Sequence, residues 1–125
     1  MTTLDYFKAK TEAYISPRGL MAMIEADPDS VVLVDVRNGP KPTKVKGAVE
    51  LPEAEVIGRM HELPKNKLVV LYCWETWCSL ATKAAIPLLE AGFRVKEMYG
   101  GIVAWETLRL PTEPTIGARP VSCAC

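Results

Sequence analysis

The stretch "LVVLYCWETWCSLATKAAIPLLEAG", residues 68 to 92, decides the fold. Its first five residues are apolar and rich in β-branched side chains, which predicts a buried strand over 68–72, expected to be the central one. From Ser79 onward, Leu80, Ala81, Ala84, Ala85, Leu88 and Leu89 fall at helical spacing, and Gly92 supplies a stop, with Pro87 as an expected kink. A strand, a short loop and a helix in that order form half of a parallel β-α-β unit.

The neighbouring segments repeat the pattern on both sides. Upstream, "VVLVDV" at 31–36 reads as a second buried strand. A helix should precede it, opening at Ser16-Pro17, where serine can cap and proline suits the first helical position, and stopping near Asp27-Pro28. Leu4, Phe7 and Tyr14 suggest a short leading helix between Thr3 and Ile15. Residues 37–47, with two glycines, two prolines and four charges, are expected to be an exposed loop, and "AVEL" at 48–51 a short strand. Between Pro52 and Leu63, the residues Val56, Ile57, Met60 and Leu63 predict one helix with a single apolar face. Downstream, "RVKEM" alternates as a strand should, and "GGIVAWETL" predicts a last helix opening on two glycines that allow a tight turn. Alternating strands and helices imply an α/β domain of three layers, a mostly parallel central sheet flanked by helices. The expected domain spans 1–110. Residues 111–125, rich in proline and ending Cys123-Ala124-Cys125, are expected to form a tail.

Fifteen basic residues balance fifteen acidic ones with no long run of either sign, so neither nucleic acid nor an anionic membrane is an expected partner. The N-terminal residues carry Asp5, Lys8, Lys10 and Glu12 instead of an unbroken apolar signal, and no stretch is apolar enough to span a bilayer. A cytoplasmic location is the expectation. Four cysteines in such a chain point to catalysis, redox chemistry or metal. Their spacing, C-x4-C and then a distant C-x-C, is not a common zinc pattern, so no metal and no cofactor are expected.

Cys73 is the first residue past the predicted central strand, where ligands bind in open α/β sheets. The loop of residues 74–78 leads into a helix N-terminus, whose unpaired N–H groups and dipole favour an anion such as a thiolate. Taken alone, Cys73 reads equally well as an inert buried thiol. Four stretches in this order and spacing, "LVDVR" at 33–37, "VKGAVELP" at 45–52, "YCWETWCS" at 72–79 and "GFRVKEMYGGIVAW" at 92–105, resemble a single-domain rhodanese, a sulfurtransferase.

The resemblance implies a rhodanese-like three-layer domain in which Cys73 is the catalytic nucleophile. Cys73 would attack a sulfane sulfur, carry it as a persulfide and pass it to a thiol or cyanide. The backbone amides of Trp74, Glu75, Thr76, Trp77, Cys78 and Ser79 would form the cradle for the anionic sulfur. Expected partners are a small donor such as thiosulfate or a persulfide, or a sulfur-carrying protein, together with the thiol or cyanide acceptor. Rhodanese-like phosphatases place an arginine six positions after the cysteine; Ser79 stands there, which disfavours phosphate chemistry. Asp35 and Arg37 match the family's Asp-x-Arg and are expected to form a structural ion pair.

The loop departs from many sulfurtransferases in carrying Cys78 where they have a basic residue, and in adding Glu75. A carboxylate about 4 Å from a donor's charge costs roughly 1 kcal/mol in water and more where the dielectric is lower, which works against a dianion. Trp74 and Trp77 serve either loop packing or the seating of an apolar surface. Cys78 is expected within a few ångströms of Cys73, as a resolving or relay thiol. Cys123 and Cys125 lie on a segment long enough to reach the same place and are further candidates. The alternative function is a catalytically weak rhodanese-fold binding or redox-sensing module using Cys73 and Cys78.

Overall fold

The structure, a computed structural model, describes residues 1–115. Helix α1 (Thr3–Ala13) opens on a reciprocal cap: the Thr2 hydroxyl accepts from the Asp5 N–H and the Asp5 carboxylate accepts from the Thr2 N–H, each at 3.1 Å. It buries none of its residues and leads into the two-residue strand β1 (Tyr14–Ile15). Ser16 then caps α2 (Pro17–Ala26) through a 2.9 Å hydrogen bond from the Gly19 N–H, with Pro17 in the first helical position. The remaining elements are β2 (Val31–Asp35), β3 (Thr43–Val45), β4 (Val49–Glu50), α3 (Val56–Arg59), β5 (Leu68–Tyr72), α4 (Leu80–Glu90), β6 (Arg94–Met98), α5 (Gly101–Thr107) and β7 (Thr112–Pro114).

Five strands form one parallel sheet in the order β1-β6-β5-β2-β4, so β5 is central. All five of its residues are buried, which explains their unbroken apolar run. Alternate side chains serve opposite faces. Val69, Leu71 and Cys73 join Val34, Val36, Val56, Ala81, Ala84 and Leu88 under α3 and α4. Leu68, Val70 and Tyr72 join Leu20, Leu33, Met98, Ile102 and Trp105 under α2 and α5. Each fully buried Val or Leu contributes about 1.5–3 kcal/mol, so this strand and its two helical layers form the core of the domain.

The segment 37–47 departs from the expected exposed loop. Within it β3 pairs antiparallel with β7, in the register Thr43↔Pro114 to Val45↔Thr112, and Lys44 and Val45 are buried. Residues 112–114 of the expected tail are thus a strand, and Trp105 holds the approach to it by donating its indole N–H to the Pro111 carbonyl at 2.8 Å. The single helix expected over Pro52–Leu63 is instead a 3-10 turn (Glu53–Glu55), the one-turn α3 and a second 3-10 turn (Met60–Glu62). At three residues per 3-10 turn the helical stripe falls out of phase: Val56 and Leu63 are buried, but Ile57 is 74% exposed. Among the described residues no helix is long and apolar enough to cross a membrane.

Candidate active site

The site lies at the carboxyl end of the two middle strands, where Asp35 of β2 sits in register with Tyr72 of β5. After β2 the chain places Arg37 beneath the surface, 2% exposed, against the fully buried Asp35. The pair is bidentate, Nε to Oδ1 at 2.9 Å and Nη2 to Oδ2 at 2.7 Å. Burial works against the Arg37 charge, and Asp35 more than restores it, so the guanidinium pKa lies above its ordinary value. Nη2 also donates to the Thr43 carbonyl at 2.7 Å, which ties the pair to β3. Tyr72 donates its hydroxyl to Asp35 at 2.9 Å and accepts from the Val45 N–H at 3.0 Å. Burial, with the Asp35 charge beside it, pushes the phenol pKa far up, so Tyr72 stays a neutral donor. The ion pair expected from Asp35 and Arg37 is therefore the centre of a larger polar unit.

After β5 the chain reaches Cys73, 3% exposed. The residues that follow turn sharply, the Cys78 N–H donating to the Glu75 carbonyl at 3.1 Å. Trp74 is half-buried, and the Arg37 guanidinium lies over its ring, 4.7 Å from the centroid. Glu75 is also half-buried, Thr76 is exposed, and Trp77 is 85% exposed. Ser79 is the N-cap residue of α4, and its side chain makes no capping hydrogen bond.

The start of this loop is fixed by α5, a contribution the sequence reading missed. A helix leaves its first N–H groups without internal partners. Here the Ile102 N–H donates to the Cys73 carbonyl at 3.0 Å and the Val103 N–H to the Trp74 carbonyl at 3.1 Å. That approach requires Gly101: a Cβ there would lie 2.6 Å from the Cys73 oxygen and 2.7 Å from the Trp74 carbonyl carbon, and the residue has φ +62°. The glycine pair was visible in the sequence, but which backbone it meets was not.

Cys73 and Cys78 are joined in a disulfide, their Cα atoms 6.3 Å apart. The structure thus shows the loop in its oxidised form, and a Cys73 thiolate exists only after reduction. Cys123 and Cys125 lie outside the described residues. Among the described residues no cluster of three or more His, Cys, Asp or Glu side chains is placed to hold a metal ion.

A buried cysteine closing the central strand, a tight loop and a helix N-terminus behind it form one continuous arrangement within residues 16–108, which match the model of the Rhodanese-like domain. The chain belongs to the rhodanese-like domain family. It is similar to a sulfurtransferase of Allochromatium vinosum, 35% identical over 89 residues that cover 69% of this chain and 81% of that protein. It is also similar to an HTH-type transcriptional regulator of Mycobacterium tuberculosis, 33% identical over 85 residues, 66% of this chain. The match spans only 38% of the regulator's length. Among solved structures, a full-length protein from Lactobacillus plantarum superposes with a TM-score of 0.85 at 30% identity, covering 90% of this chain and 96% of that one. The rhodanese-like fold accounts for the central parallel sheet flanked by helices.

Proposed function

We propose that this rhodanese-like domain is a sulfurtransferase that carries sulfane sulfur as a persulfide on Cys73. The observation that carries the reading is the position of Cys73, buried at the end of the central strand and held through its own carbonyl by α5. In the reduced protein the Cys73 thiolate attacks the outer sulfur of a donor such as thiosulfate. The sulfur–sulfur bond of the donor breaks, and sulfite leaves with its electron pair. The outer persulfide sulfur, an anion, takes hydrogen bonds from the cradle amides of residues 74–77 and of Ser79, the Cys78 N–H being committed to the Glu75 carbonyl, and faces the N-terminus of α4. A thiolate or cyanide then attacks that sulfur, and Cys73 departs as a thiolate.

Glu75 belongs to the same loop and sets a preference. Its carboxylate opposes a dianion more than a neutral or protein-borne persulfide, which points to a low-molecular-weight persulfide or a sulfur-carrying protein as the preferred donor. The proposal includes no resident cofactor or metal, no nucleic-acid or membrane partner, and a cytoplasmic setting, consistent with the balanced charge of the chain.

The test is intact-mass analysis of the reduced protein after exposure to thiosulfate and, separately, to polysulfide. A one-sulfur adduct that maps to Cys73 within the first turnover is the expected result. Full transfer of sulfur to cyanide by Cys73→Ser would refute the assignment.

A further inference from the structure

The Cys73–Cys78 bond shows that the two sulfur atoms meet while β5, α4 and α5 hold the positions described above. The Cα separation of 6.3 Å lies within the range disulfides ordinarily span. Only a short loop separates the two thiols, so closing it costs little chain entropy, and Cys78 acts on Cys73 at a high effective concentration.

A persulfide on Cys73 has two electrophilic sulfurs with different exposure. The outer sulfur extends toward the acceptor. The inner one is the Cys73 Sγ itself, which in the persulfide carries the outer sulfur on its solvent side; the residue is 3% exposed in the disulfide form. Cys78 is the group that the fold brings into bonding contact with this inner sulfur.

We propose that Cys78 reduces the Cys73 persulfide and releases sulfide, a second outcome for the sulfur besides transfer to an external acceptor; the inference rests on the sulfurtransferase reading above. The Cys78 thiolate attacks the Cys73 Sγ in line with the persulfide bond. The Sγ–Sγ bond of the observed disulfide forms, the persulfide bond breaks, and the outer sulfur leaves as HS⁻ with the electron pair. The sulfane sulfur is reduced by two electrons, and the two cysteines are oxidised to the disulfide.

Turnover then needs a dithiol as co-reactant. Its first thiolate attacks the more accessible Cys78 sulfur, and the Cys73 thiolate leaves. Its second thiol resolves the mixed disulfide, returning two electrons and two protons to the site. The net reaction converts sulfane sulfur and a dithiol into sulfide and a disulfide.

The experiment uses the full chain with Cys123→Ser and Cys125→Ser, so that Cys73 and Cys78 are the only thiols among its original four cysteines. The protein is reduced, freed of reductant and mixed with one equivalent of thiosulfate in the absence of any acceptor. Sulfide is trapped with a bimane reagent, and the chain is weighed and peptide-mapped. The expected result is about one sulfide per chain and a product two hydrogens lighter than the reduced protein, with residues 73 and 78 cross-linked. Adding Cys78→Ser, and in a parallel chain Cys78→Ala, should leave the extra sulfur on Cys73 and slow sulfide release about tenfold or more.

The inference is overturned if the chain that retains Cys78 holds its persulfide as long as the Cys78 variants do. It is equally overturned if the extra sulfur maps to Cys78, which would mean that Cys78 attacks the outer sulfur and relays it. If the Cys78 variants load no sulfur on Cys73 at all, the sulfurtransferase reading falls and this inference with it.

Discussion

Two loops leave the carboxyl ends of neighbouring parallel strands at the same level of the sheet, and they treat their polar groups in opposite ways. After β2, Asp35 and Arg37 satisfy one another, and Tyr72 and the Thr43 carbonyl take up further hydrogen bonds, so the loop is locked and chemically silent. After β5, the chain is held at its first two carbonyls by α5, while the rest of the loop presents Thr76 and Trp77 to solvent and two cysteines to each other. The rigid loop supports the reactive one directly, because Arg37 stacks on Trp74. A reactive loop can remain lightly held when its anchors are charged and buried.

The largest effect should come from breaking the locked side. Arg37→Ala leaves the Asp35 carboxylate buried without its cation and removes the stack on Trp74. It should cost about 3–5 kcal/mol in urea unfolding, as breaking buried pairs does. A loss below about 1 kcal/mol, the scale of exposed pairs, would show that the two loops differ less than their geometry indicates.

Next comes the anchor between them. Gly101→Ala drives a Cβ into the backbone of Cys73 and Trp74 in a left-handed conformation, at an expected cost of about 1–3 kcal/mol. It should also slow thiosulfate-to-cyanide transfer by about tenfold or more, because displaced loops lose alignment steeply. Unchanged transfer kinetics in the folded variant would mean that α5 does not position the loop. Tyr72→Phe removes the hydroxyl that bridges Asp35 and the Val45 N–H and should destabilise by about 1–3 kcal/mol, with a smaller effect on transfer than Gly101→Ala. The smallest effect is expected on the reactive side. Glu75→Gln should lower the Michaelis constant for thiosulfate by a few-fold, on the scale of roughly 1 kcal/mol, and more than that for a neutral donor. Equal changes for both donors would remove Glu75 from the account of specificity.

How much of this was legible in the sequence follows from how local each feature is. Ser16-Pro17, the apolar run of β5 and the stop at Gly92 are signals carried by adjacent residues, and each appears where its chemistry puts it. Cys73 stood out for the same reason, since the end of an apolar run is visible without knowing what surrounds it. The short strands β1, β3 and β7 were not legible: two or three residues cannot show a period, and β3 becomes a strand only because residues 112–114 return to it. The segment Pro52–Leu63 misled because its apolar spacing fits an α-helix while the backbone adopts mixed turns. At the site, the loop was readable, but the amides of Ile102 and Val103 that hold it come from a helix distant in sequence and carry no side-chain signature.

The pairing of β3 with β7 has a consequence for the order in which the chain can fold. Thr43 supplies the carbonyl that completes the hydrogen bonding of Arg37, yet its strand has no partner until residues 112–114 have been synthesised. The sheet around β5 can assemble earlier from nearer neighbours, whereas closing this ribbon joins segments far apart in the chain and carries the slow kinetics of long-range contacts. A nascent chain that has reached only Leu110 therefore holds a buried cation whose enclosure is unfinished. Pulse-labelling hydrogen exchange on a chain ending at Leu110 should find the Val45 amide, protected by Tyr72 in the longer chain, exchanging far faster than those of β5. Maturation of the site is in this way tied to the last strand of the described chain, more than sixty residues after the loop that strand secures.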